Sequence, residues 1–175
     1  MKRFILIITV LFLLNASLKC QTMDALIMKA AITKLENAKD YTLKVADLMP
    51  EEKYAFKPTK EEMGFGEQLL HLSSNMGWLC SAYLGGSENP ITKADATLQS
   101  KAEIRAVVVK AYDYALQTIK HFNPTQLSDT VKFFAGPMNK LQILTLLNDH
   151  QTHHRAQMLI YLRLNGLVPP SYVGW

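Results

Sequence analysis

Several features that would announce a particular class of protein are scarce or missing here. There are 2 cysteines in 175 residues, and one of them, Cys20, falls in an N-terminal leader, so no internal disulfide is expected beyond it. Charged residues make up only 19% of the chain, and the lysines are scattered among Asp and Glu rather than clustered. No basic patch remains to grip a phosphate backbone, which excludes a nucleic-acid partner. The longest apolar run, Phe4 to Leu14, is too short for a membrane span, which takes roughly twenty helical residues. There is no Gly-x-Ser-x-Gly elbow, no phosphate loop and no internal repeat.

What is present begins with that leader. Lys2 and Arg3 precede the apolar run, and a polar stretch from Asn15 to Gln21 follows it, the layout of a signal peptide over residues 1–20. Cleavage is expected near Cys20 and Gln21. Lipidation of Cys20 is the other outcome, although Lys19 stands where lipoprotein signals carry a small residue. The product is expected in the periplasm or cell envelope. Three of the 19 basic residues lie in this leader, so residues 21–175 are nearly charge-balanced against 15 acidic ones. With 49% hydrophobic residues, that portion suffices for one packed domain.

The hydrophobic spacing predicts four helices and no strand pattern, hence an all-α, up-down four-helix bundle with a long crossover before the last helix. The first helix is expected over Asp24 to Leu48, with Ile27, Ala31, Leu35, Ala38, Val45 and Leu48 inward. A second begins near Gly66 and stops at Gly85-Gly86, with Gln68, His71, Asn75, Trp78 and Ala82 as its inward stripe. The third is capped by Ser100 with Glu103 three positions on, buries Ile104, Val108, Ala111, Ala115 and Ile119, and ends near His121. Val131 to Phe134 resembles a strand, but a lone strand cannot bury its face, so residues 125–136 are read as a packed crossover. Pro137 suits the first turn of a last helix that runs to Asn165, ahead of Gly166 and Pro169-Pro170.

That last helix carries the informative pattern. His150 and His154 are four apart, so both imidazoles project from one face and converge on one point. Ile143, Leu147, Met158 and Tyr161 continue the same stripe, which makes it a core face. Buried imidazoles need partners, and a shared divalent metal supplies one. A third ligand is expected from the facing helix, where His71 lies between Leu70 and Leu72. Cys80 falls on the opposite side of that helix and is excluded. His121 suits a helix C-terminus, and His153 a rim position. Glu67 and Gln157, each within one turn of a histidine, are candidates for catalysis, for orienting the ligands, or for plain surface polarity. Trp78 and Tyr161 either line the pocket or simply pack. Gln151 stands where zinc peptidases carry their Glu base.

With those residues in view, the chain resembles the DinB-like (DinB/YfiT-like) family of four-helix metalloenzymes. The resemblance rests on Phe65-Gly66-Glu67-Gln68-Leu69-Leu70-His71-Leu72 and on His150 to Gln157 continued through Pro170, supported by Met49-Pro50-Glu51-Glu52 and Phe56-Lys57-Pro58. It implies that His71, His150 and His154 hold a divalent ion, zinc or nickel, at an open coordination site in a bundle that is often a homodimer. It also implies a thiol-dependent transfer or isomerisation, whereas an ion at such a site, by lowering the pKa of a bound water, points to a hydrolase-like reaction on a small molecule. The thiol reaction fits poorly with export, since low-molecular-weight thiols are cytoplasmic. A non-catalytic envelope module that binds metal or a small ligand is the alternative from another class.

Overall fold

The structure, a computed structural model, describes the backbone of residues 2–175 and the side chains of residues 23–175. The leader expected over residues 1–20 thus lies outside the described side chains. Four long helices, α1 (Lys2–Leu48), α2 (Phe65–Tyr83), α3 (Lys101–His121) and α4 (Lys140–Leu164), enclose the core. Asp24 is not a boundary, because the backbone is already helical before it. Among the described residues, no helix is long and apolar enough to cross a membrane.

Helices α1 and α2 each pack against α3 and α4. Both α1→α2 and α3→α4 therefore cross the bundle diagonally, where the sequence suggested one crossover. Residues 49–64 give the first connection the length to do this, and bundles with two such crossovers are an established variant. Short 3₁₀ turns at Glu51–Lys53, Asp95–Thr97 and Pro124–Gln126 shape the connections.

The second crossover holds the main departure from expectation. Thr130–Phe133 (β1) pairs antiparallel with Gly136–Asn139 (β2), so the lone strand has a partner. Gly136 adopts a φ of +117°, a region open to glycine, and turns the chain back. Pro137 sits opposite Lys132 in this hairpin and does not start the helix. In a two-stranded ribbon its missing N–H can face outward at no cost to the ladder. The start of α4 is set instead by Asn139, whose side chain accepts from Gln142 N at 2.8 Å while Gln142 Oε1 accepts from Asn139 N at 2.8 Å. Its end follows expectation: Gly166 at φ +75° lets Leu167 N reach Leu162 O and Gly166 N reach Arg163 O, both at 3.0 Å.

The α3 stripe is buried throughout, from Ile104 to Ile119. In α1 the expected inward residues are buried or half-buried except Leu48, which is 41% exposed while the adjacent Met49 is fully buried in the core. In α2 the expected stripe is only half right, since Ala82 is exposed while Phe65, Leu69, Leu72, Met76 and Leu79 form the deepest line. The predicted line is the flank of α2 that turns toward α4, and that flank carries the histidine. A close approach fixes the start of this helix: a Cβ on Gly66 would sit 2.9 Å from Ile104 Cδ1 and 3.3 Å from Tyr54 Cδ1.

Candidate metal centre

The flank of α2 that meets α4 brings His71 against His150 and His154. One ligand atom from each of the three imidazoles lies within 4.8 Å of the other two. The Nε2 atoms of His150 and His154 are 3.2 Å apart, close to the roughly 3.3 Å edge of a tetrahedron with metal–nitrogen bonds of about 2.0–2.1 Å. His71 completes the triangle, its ring centre 4.6 Å from that of His154 and 5.0 Å from that of His150. The donor set and its spacing fit a divalent metal ion.

The local environment keeps these rings neutral. Burial pushes the His154 pKa down to about 3, with His150, His71 and His153 adding repulsion. Burial likewise lowers His150 to about 4, reinforced by His71 and His153. His71 is lowered as well, first by burial and then by His153. A neutral imidazole offers a lone pair to a cation, so all three are ready to bind near neutral pH.

Behind His154 lies a relay of side chains. Its Nδ1 is 2.5 Å from Gln68 Oε1. Gln68 Nε2 donates to Gln157 Oε1 and, at 3.2 Å, to the Tyr161 hydroxyl. Gln157 Nε2 is in turn 2.9 Å from Nε2 of the exposed His153. Gln157 is thus placed one hydrogen bond behind a triad partner. Glu67 is not: its carboxylate accepts from Gly64 N at 2.6 Å and pairs with Lys57 at 3.0 Å. These contacts hold its pKa below the ordinary carboxylate range, the Gly64 bond most of all. Its position in the first turn of α2, three residues after Gly64, is a sequence signal for exactly that capping use that its spacing from His71 obscured.

The remaining candidates do not touch the triad directly. Trp78 packs against Phe133 of β1 at 5.6 Å and edge-to-face with Tyr83 at 5.5 Å, an aromatic cluster that seats the hairpin. Tyr161 packs edge-on to Phe56 at 5.9 Å and donates to Met63 O at 3.1 Å. His121 caps its own helix through Gln117 O at 2.8 Å. Cys80 is buried and free, its pKa pushed up to about 12 by that burial, so the described chain supplies no thiolate. Gln151 faces a separate interior cluster with Tyr112 and Arg155 rather than the metal site.

A bundle with three histidines converging from its second and fourth helices defines a class that the comparisons identify. The chain matches the DinB family over residues 27–174 and belongs to it. Among solved structures it is similar to a DinB-like protein from Bacillus cereus ATCC 10987, with a TM-score of 0.72 and 20% identity over 83% of this chain and 97% of that one. It is also similar to a DinB-like protein from Bacillus subtilis, with a TM-score of 0.67 and 15% identity over 82% and 96% of the respective chains. At those identities the likeness extends to the fold. No curated protein sequence matches.

Proposed function

We propose that this chain is an exported, metal-dependent, hydrolase-like enzyme whose divalent ion, zinc or nickel, is held by His71, His150 and His154. The observation that carries this reading is the convergence of three neutral imidazoles from two helices to within 4.8 Å. A divalent ion bound there supplies Lewis acidity toward oxygen ligands, water included.

The surrounding residues suit a small substrate. A groove of 390 Å³ lined by Met63, Glu67, Leu70, Ser74 and Ala96 adjoins His71, and its mostly apolar wall accepts an apolar portion. Asn75 Oδ1, one turn beyond His71, is buried with no hydrogen-bond partner among the described residues. His153 accepts at Nε2 from Gln157, so in its neutral form it carries its proton at Nδ1 and serves as a donor beside His154, ring centres 4.9 Å apart. Met23 and Leu26, exposed on α1, support a homodimer through that helix.

Elemental analysis of the purified mature protein tests the proposal, with about one zinc or nickel per chain expected from a single triad. A protein that neither carries nor takes up either metal refutes it. Full metal loading with no turnover of ester, amide or phosphate substrates would instead favour the non-catalytic envelope module. Thiol-dependent transfer requires the chain to stay in the cytoplasm, and cell fractionation decides that.

The lowered pKa values give a second expected result. Because burial holds all three rings below the ordinary imidazole range, metal uptake near neutral pH displaces few protons from them, and affinity should persist to lower pH than for a site of exposed histidines. Calorimetry in buffers of different ionisation enthalpy checks this; release of two or more protons per ion, more than a metal-bound water supplies, would contradict it. The same shifts fix the sign of the acid response. Between His154 at about 3 and His150 at about 4 in the folded state and about 6.5 in the unfolded chain, the unfolded state binds more protons. The metal-free protein therefore loses stability as pH falls through that window.

A further inference from the structure

We infer that a backbone carbonyl, Met63 O, acting through Tyr161 and Gln68, fixes which ring nitrogen of His154 is left free to bind the metal. The inference rests on the proposed metal site and adds to it a positioning residue, Gln68.

A neutral imidazole carries one proton, on Nδ1 or on Nε2, and presents a lone pair only from the other nitrogen. His154 points Nε2 at His150 and the triad, and Nδ1 at Gln68. For Nε2 to bind a cation the proton must sit on Nδ1, which then donates to Gln68 Oε1. That arrangement holds only while the Gln68 amide keeps its oxygen toward His154. A glutamine amide has no intrinsic preference between its two orientations, and its neighbours must choose.

Gln157 cannot make that choice, because it is an amide too and can turn over together with Gln68. Tyr161 can. Its hydroxyl donates to Met63 O at 3.1 Å, and a main-chain carbonyl is an acceptor in every orientation. With its single proton so engaged, the Tyr161 oxygen is left to accept, and Gln68 Nε2 lies 3.2 Å away to donate. The amide nitrogen is thereby tied to Tyr161, the amide oxygen faces His154, and Nδ1 of His154 must be the protonated nitrogen. Gln68 and Tyr161 are 1% and 3% exposed, and the bonds from Gln68 to Tyr161 and to His154 are buried, which keeps water from these two links. Among the described residues, His154 is the triad member whose second ring nitrogen is held in this way.

Nitrogen NMR of histidine-labelled, metal-free protein reads the tautomer directly, without recourse to activity or to bound metal. The unaltered protein is expected to show His154 with its proton on Nδ1. Tyr161→Phe keeps the ring but removes the anchor, so a mixture of tautomers should appear and zinc affinity should fall about tenfold. Gln68→Met removes the acceptor itself and should cost 10- to 100-fold, the usual range for partners behind a metal-bound histidine. The decisive variant is Tyr161→Phe combined with Gln68→Glu. A carboxylate accepts with either oxygen, so it needs no anchor and should restore both the Nδ1–H tautomer and the affinity. Loss of packing alone would not be rescued in this way. A proton on Nε2 of His154 in the unaltered protein, or a tautomer indifferent to Gln68→Met, would overturn the inference. Failure of the unaltered protein to bind metal with its Nδ1–H signal intact would count against the metal site and not against the relay.

Discussion

His154→Ala should reduce bound zinc or nickel from about one ion per chain to almost none, with affinity down by more than the 100-fold typical of lost supporting residues. His154 is the most buried of the three imidazoles and the one anchored behind by Gln68, so its loss leaves the other two with no comparable substitute. His153 cannot take its place: it lies about 100° around the helix and is exposed. The variant should still fold, since His71 and His150 are half-buried and can turn to water. Isothermal titration with zinc, alongside circular dichroism of the metal-free variant, measures both. Stoichiometric tight binding by folded His154→Ala would remove the triad as the site.

The second large effect is expected away from the metal, at Arg155. This guanidinium is 4% exposed, yet no carboxylate among the described residues forms an ion pair with it. It donates to Gln151 Oε1, to Thr42 Oγ1 at 3.3 Å and to Thr152 Oγ1 at 3.3 Å, and it lies over the Tyr41 ring at 5.1 Å. Tyr112, fully buried, joins the cluster by donating to Gln151 Oε1 at 3.0 Å. Arg155→Ala empties this volume and removes donors at once, a loss of about 3 kcal/mol by analogy with large-to-small core changes. With an m value of about 2 kcal/mol/M, the urea midpoint should drop by about 1.5 M. Arg155→Met, which fills the space without burying charge, should stay within about 1 kcal/mol of the parent or exceed it. Equal damage from both would mean that the hydrogen bonds, and not the filled volume, hold α4 to α1.

The helical part of this architecture was legible because its signals are local and redundant. Ser100 and Glu103 mark the start of α3, Gly85 and Gly166 stop α2 and α4, and the α3 stripe is buried as its spacing requires. The triad was legible for a similar reason: the i,i+4 pair defines one point, and one histidine on the facing helix completes it. The hairpin was not, because its second strand is Gly136-Pro137-Met138-Asn139, which has no alternating pattern and begins with two residues typical of helix boundaries. Pairing with β1 overrode local preference. Glu67 and Gln68 show the other limit. Both lie within one turn of His71, yet one is consumed by Gly64 and Lys57 while the other reaches His154 on α4. Partners separated by 86 positions in sequence leave no trace in spacing. Arg155 escaped notice for the same reason, since its contacts on α1 lie 113 positions away.

The last nine residues, beyond the stop at Gly166, bear on more than the end of the chain. Tyr172 sets the edge of its ring on Tyr41 at 6.5 Å, and Trp175 O accepts from Asn37 Nδ2 at 2.7 Å, so this tail lies along α1 beside the ring that covers Arg155. A chain clipped after Leu167 would uncover Tyr41 and admit solvent to the guanidinium. The tail thus works as a weather seal for a permanent interior charge, and hydrogen exchange along α4 near that charge should quicken once it is trimmed.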